Sequence, residues 1–144
     1  MAEGKFMVAV GAVIENRVTG KILLLQRTSR SDFLPGVWES PSGRMKQFEE
    51  LEEALRRELS EEVGIQDFEI VKPLTVSHFY RGERTAEKEI VLIVFWIRTD
   101  AETVTISAEH DHYRWVSAET ALSMVGHPAI VRDITTFIKE READ

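Results

Sequence analysis

Residues 56–65, RRELSEEVGI, put Glu58, Glu61 and Glu62 at helical spacing in a segment whose earlier turns carry Leu51, Ala54 and Leu55. At about 100° per residue, with Leu51 at zero, Ala54 falls at about 300°, Leu55 at about 40° and Leu59 at about 80°. Glu58 then falls at about 340°, Glu62 at about 20° and Glu61 at about 280°, over the apolar arc. Glu52, Glu53, Arg56 and Ser60 lie on the far side, where solvent is expected. Three acids on an inward arc are not an ordinary solvated face. Glu58 and Glu62 repel at i,i+4 spacing by roughly a few tenths of a kcal/mol even when exposed. Burial raises that cost and lifts a carboxyl pKa unless a counter-charge is present. An oxygen-only set, with no cysteine and no histidine at helical spacing, suits Mg²⁺ or Mn²⁺ better than zinc. Geometry alone leaves open whether a raised pKa or a divalent cation resolves the repulsion.

Composition narrows the partners. The 144 residues are about one domain's length, and 43% hydrophobic with 30% charged residues permits one core. One domain over residues 1–144 is expected. A net charge of −7 argues against duplex nucleic acid and against an anionic membrane surface, which both select basic faces. An acidic protein that handles phosphates needs cations to mediate the contact. The absence of cysteine excludes disulfides and thiolate chemistry and suits a cytoplasmic location. The early apolar run in MAEGKFMVAVGAVIENR is too short to span a membrane and reads as a first strand.

The remaining elements follow from period and punctuation. KFMVAVGAVI (5–14) and KILLLQR (21–27) read as strands joined by the turn ENRVTG. Residues 28–44 read as one long loop, the kind that in a compact domain carries function. A helix is expected over 49–63, strands over 68–80 and 88–99, and a shorter strand over HDHYRWVS (110–117). Ser117 caps a helix, and PAIVRDITTFIKERE closes the chain as another, with Pro128 in its first turn. Strands and helices mix without regular βαβ alternation, so an α+β fold with a mixed sheet between helices is expected.

Read with what precedes it, the acidic helix resembles the Nudix box at nine fixed positions: Gly43, Glu49, Arg57, Glu58, Leu59, Glu61, Glu62, Gly64 and Ile65. MVAVGAVI, KILLLQR, GVWESP and YRWVS loosely resemble further segments of MutT-like members. The resemblance implies the Nudix fold and Mg²⁺- or Mn²⁺-dependent hydrolysis of a nucleoside diphosphate linked to another group. It implies that Glu61 and Glu62 ligate metal and that Glu58 is a ligand or the general base. Arg57 and Glu49 would pair and orient Glu58, and the Ser42 carbonyl would complete the metal sphere. Glu109, six residues before Trp115, resembles a further ligand, with Asp111 next best. Arg27 resembles a phosphate-contacting position and equally suits a structural ion pair. Gly64 suits the helix end.

Two departures stand out. Ser42 and Phe48 occupy positions that are glycine in many members, so they must hold backbone shapes that glycine allows freely, or Phe48 packs on the core. A small-molecule nucleotide is the implied partner, and a homodimer is the assembly common in the family. Base-stacking candidates are Phe33, Trp38, Phe79, Tyr80 and Tyr113, with Trp38 and Tyr80 preferred because both border loops near the expected site. His110 and His112 alternate on one strand face and read as a solvated edge rather than a metal pair. No asparagine follows residue 16, which does not support specificity for oxidised guanine. The alternative to an enzyme is a nucleotide-binding sensor that has kept the fold and lost turnover.

Overall fold

The computed structural model describes residues 3–144. Its strands are β1 (Met7–Asn16), β2 (Ile22–Arg27), β3 (Trp38–Glu39), β4 (Ser42–Arg44), β5 (Glu69–Tyr80), β6 (Glu89–Thr99) and β7 (His110–Val116). Its helices are α1 (Leu51–Val63), α2 (Ala118–Met124) and α3 (Pro128–Ala143). The strands form a seven-stranded sheet with the central order β3-β2-β1-β6-β5, while β4 pairs with β1 and β7 with β2. The sheet is mixed, because β1 runs parallel to β6 from Met7 opposite Ile90 to Asn16 opposite Thr99. β1 runs antiparallel to β4 at Ala9–Gly11 and to β2 at Glu15.

Both faces of the sheet are covered, which is why β1 reads as an unbroken apolar run. Val10, Ala12 and Ile14 share one face with Leu23 and Leu25, under Ala54, Leu55, Leu59 and Val63 of α1. Val13, Ile22, Leu24, Val94 and Trp96 pack on the other face against α2 and α3, through Ala118, Ala121, Ile134 and Phe137. The β1–β2 turn is held by Asn16, whose Oδ1 accepts from the N–H of Val18 and Thr19 at 2.9 and 3.0 Å. Ser117 Oγ accepts from the Thr120 N–H at 3.1 Å and so starts α2.

Several local expectations need correction. Residues 28–44 are not one loop, since β3 and β4 lie within them. Strands of two and three residues are too short to leave a period in the sequence. Helix α1 begins at Leu51, where Glu50 and Glu53 close a capping box. Leu51 is 40% exposed, so the docking stripe begins at Ala54. Phe48 does not pack on the core: it is 94% exposed and holds φ +71°. Ser42 sits in β4 and is not among the residues with positive φ, so it takes no glycine-like shape.

A bulky side chain in the left-handed region costs about 1–2 kcal/mol, and Phe48 recovers little of it through contact. Phe48→Gly is therefore expected to raise stability by about 0.5–1 kcal/mol, after the extra chain entropy that glycine brings to the unfolded state. Thermal unfolding checks this, and a lower Tm would contradict it.

Candidate active site

Docking of α1 carries its acids to three different depths. Glu62 lies on the face that buries Leu55, Leu59 and Val63, and it is 7% exposed. The Glu58 side chain is 12% exposed and that of Glu61 is 57% exposed. Glu61 lies at the margin of the apolar arc, so it faces out, and the three acids do not share one buried face as their angles suggested. Gly64 ends the helix at φ +69°, and its N–H and that of Ile65 close on the Ser60 and Leu59 carbonyls.

Arg57 organises the side of the helix facing β4. Its Nε and Nη2 donate to the two Glu49 oxygens at 2.7 and 2.9 Å, a bidentate pair. Nη1 donates to Glu58 Oε1 at 2.7 Å and to Glu61 Oε2 at 3.3 Å, and Nη2 also reaches the Arg44 carbonyl at 2.9 Å. The hydrogen bonds from Arg57, with help from the Lys46 N–H, bring the Glu49 carboxyl down to about 2. A depressed carboxyl contributes stability that is fully present above its ordinary value of 4.5 and is lost as pH falls through about 2. The stability lost in Glu49→Gln should accordingly be large at pH 7 and vanish near pH 2; urea titrations at both pH values check it.

Gly43 fixes the other side of Glu58. A Cβ at Gly43 would overlap the Glu58 carboxylate itself, so that carboxylate can rest where it does only against a glycine.

Glu62 is the electrostatic focus. Its Oε2 is buried without a hydrogen-bond partner. Burial first, then the nearby charges of Glu58, Glu109 and Glu39, push its carboxyl up to about 9, against a lowering effect of the Ser42 N–H.

Glu58, Glu109 and Glu39, the acids beside Glu62, border a cleft of about 510 Å³, within the usual range for small-molecule sites. Ser42, Gly43, Glu58, Glu61 and Glu109 line it, as do Arg27 and Glu39. Arg27 is held by three bonds: Nε to the Phe33 carbonyl at 2.8 Å, Nη1 to Glu39 Oε2 at 3.0 Å and Nη2 to Ser31 Oγ at 2.8 Å. Glu39 Oε2 also lies 2.9 Å from His110 Nε2. His110 is thus not at a solvated edge; it is 5% exposed, beyond a register shift of the β2–β7 ladder at Gln26/Arg27. Asp111 and His112 are exposed.

Trp38 and Tyr80 are not brought to the cleft. Trp38 packs against the core beneath α2 and α3, and Tyr80 directs its hydroxyl to Glu89 at 3.4 Å. Their neighbours Glu39, Phe79 and Arg81 line the cleft instead, as the alternation of side chains along a strand requires. Glu39 is the residue that sequence reasoning missed, and the apolar Trp38 before it was the available signal.

The donor set fits a hard divalent cation. Carboxylates from α1, Glu109 and the Ser42 carbonyl all offer oxygen, the donor that such a cation prefers, and Glu62 Oε2 is an acceptor sealed without a donor. Among the described residues no three such side chains are gathered to hold a metal as they stand. Arg57 draws Glu58 and Glu61 to itself, while Glu61, largely in solvent at the margin of the cleft, can swing away from Arg57.

A family model described as the NUDIX domain matches residues 5–134. A CTP pyrophosphohydrolase from Escherichia coli K12 is 34% identical over 139 residues, covering 96% of each chain. A nucleoside triphosphatase NudI from Klebsiella pneumoniae is 32% identical over 107 residues, 69% of this chain and 75% of that one. A crystal structure of a MutT protein from Methanosarcina mazei Go1 superposes with a TM-score of 0.76 at 33% identity, covering 100% of this chain and 99% of that one. With the box residues around one cleft and a family match over most of its length, this chain belongs to the Nudix hydrolase family.

Proposed function

We propose that the protein is a divalent-cation-dependent pyrophosphohydrolase that splits a nucleoside triphosphate into a nucleoside monophosphate and pyrophosphate. The observation that carries this reading is Glu62, buried with an unpartnered oxygen beside Glu58, Glu109 and Glu39, which line a cleft of nucleotide size together with Ser42. The relative called a CTP pyrophosphohydrolase supports a triphosphate substrate.

Glu61, Glu62, Glu109 and the Ser42 carbonyl would hold Mg²⁺ or Mn²⁺. When bound, such a cation neutralises charge on phosphoryl oxygens and makes a bound water more acidic. Glu58 takes the proton of the attacking water. Arg57 holds its Oε1, which leaves Oε2 for that task. The water oxygen joins phosphorus, a bridging P–O bond breaks, and pyrophosphate leaves. Arg57 and Glu49 act as positioning residues. Arg27 uses three of a guanidinium's five N–H groups on Phe33, Glu39 and Ser31, and the others contact phosphate. No helix among the described residues is long and apolar enough to cross a membrane, and the cytoplasm is the compartment this chemistry suits.

Hydrolysis of nucleoside triphosphates, ADP-ribose, dinucleoside polyphosphates and NADH with Mg²⁺ tests the reading. A triphosphate should be the best substrate; binding without product throughout would favour the sensor. Gly43→Ala probes the geometry, since its methyl must displace the flexible Glu58 carboxylate rather than backbone. It should lower kcat by about 10²-fold, as misplaced reacting groups do, with little change in Tm. Unchanged kcat would contradict the placement of Glu58.

A further inference from the structure

The cleft has a second wall, away from the acids of α1 and made of different material. Phe79, Ile90 and Leu92 form its floor, and Ile130 and Asp133, on α3, lie over them. An apolar slot of this kind suits a flat ring. Asp133 is the exception to its character. It is 5% exposed, yet it lines the cleft. Thr75 Oγ1 donates to its Oδ1 at 2.6 Å, which fixes the rotation of the carboxyl. The carboxyl makes no other hydrogen bond among the described residues, and neither oxygen is among the atoms sealed without a partner. Oδ2 therefore keeps an acceptor open to the slot.

We propose that Asp133 reads the base, accepting a hydrogen bond from an exocyclic amino group, so that amino bases are cleaved in preference to their oxo counterparts. The inference rests on the cleft being a nucleotide site. Cytosine carries an amino group where uracil carries a carbonyl, and adenine carries one where hypoxanthine carries a carbonyl. An amino group satisfies Oδ2, whereas a carbonyl sets two acceptors against each other in an apolar slot. A buried acceptor without a donor is costly, and sites built to pair a donor reject analogues that lack it strongly. Burial raises the Asp133 carboxyl, against the donation of Thr75 and the charges of Arg132 and His127. That direction marks a group kept out of water.

The test compares kcat/KM for CTP against UTP, and for ATP against ITP, in wild type, Asp133→Asn and Thr75→Val, with Tm as a folding control. Each pair differs in the amino or oxo group that Asp133 would meet. Wild type should prefer the amino member by about 10²-fold. Asp133→Asn, whose amide offers a donor to a carbonyl, should bring the ratio near one. Thr75→Val leaves the carboxyl but frees it to turn, and should lower the ratio by less. A wild-type ratio near one, or an unchanged ratio in folded Asp133→Asn, would overturn the inference while hydrolysis itself stands. If no triphosphate is hydrolysed the proposed function fails instead. Calorimetric binding then decides Asp133: tighter binding of CTP than UTP supports it, and equal affinity overturns it.

Discussion

Glu58→Gln is expected to lower kcat by about 10³-fold while KM moves less than about threefold, the middle of the range for loss of a positioned base. The amide keeps the shape and can still accept from Arg57, so the contacts at 2.7 Å to Arg57 and across Gly43 persist. What disappears is the ability to take a proton from water. An effect confined to KM would assign Glu58 to substrate binding. A ligand role is separated by the cation itself: if Glu58 ligates metal, the cation concentration for half-maximal rate should rise steeply in the variant. If Glu58 is the base, that concentration should stay within about threefold and kcat alone should fall.

Glu62→Gln is expected to abolish turnover and, without added cation, to stabilise the fold. The sign follows from burial. A carboxyl raised to about 9 is protonated in the folded chain over a range where the unfolded chain has lost the proton. Stability therefore falls as pH rises from the ordinary 4.5 toward about 9. Below that range wild type and variant should unfold alike. At pH 8, about 3.5 units above the ordinary value, the variant should be more stable by on the order of 5 kcal/mol, each unit being worth about 1.4 kcal/mol. Saturating Mg²⁺ or Mn²⁺ should reverse the order, because a ligand that binds the folded wild type alone raises its stability. Thermal unfolding at pH 4 and pH 8, with and without cation, reads all four arms. A variant less stable than wild type at pH 8 without cation would contradict the strain assigned to Glu62.

How much of this was legible depends on what kind of signal each residue left. β1, β5 and β6 were readable as long runs rich in apolar and β-branched residues, and α1 and α3 because each repeats its period several times. β3 and β4 were not, since two or three residues cannot repeat a pattern. The fixed spacing of the box marked Glu58, Glu61, Glu62, Gly43 and Arg57, but not the depth of each side chain. Tertiary docking sets that depth, and it buries Glu62 and leaves Glu61 in solvent. Phe48 was legible as a conformational departure and not as an exposed side chain. Trp38 and Tyr80 illustrate a different limit. Sequence located the right segments, yet strand alternation turned the preferred residues away and the adjacent Glu39, Phe79 and Arg81 into the cleft. Asp133 left no trace, because an isolated acid in an amphipathic helix looks like any solvated one until the sheet beneath it is placed.

The central claim is that this cleft uses a divalent cation and the α1 carboxylates to hydrolyse a nucleoside triphosphate. Its most direct test follows CTP by ³¹P NMR with Mg²⁺ at pH 8, alongside the same reaction in excess chelator. CMP and pyrophosphate should accumulate with Mg²⁺, and neither should form in chelator. No cleavage of CTP or any other triphosphate with Mg²⁺ or Mn²⁺, or an equal rate in chelator, would contradict the account.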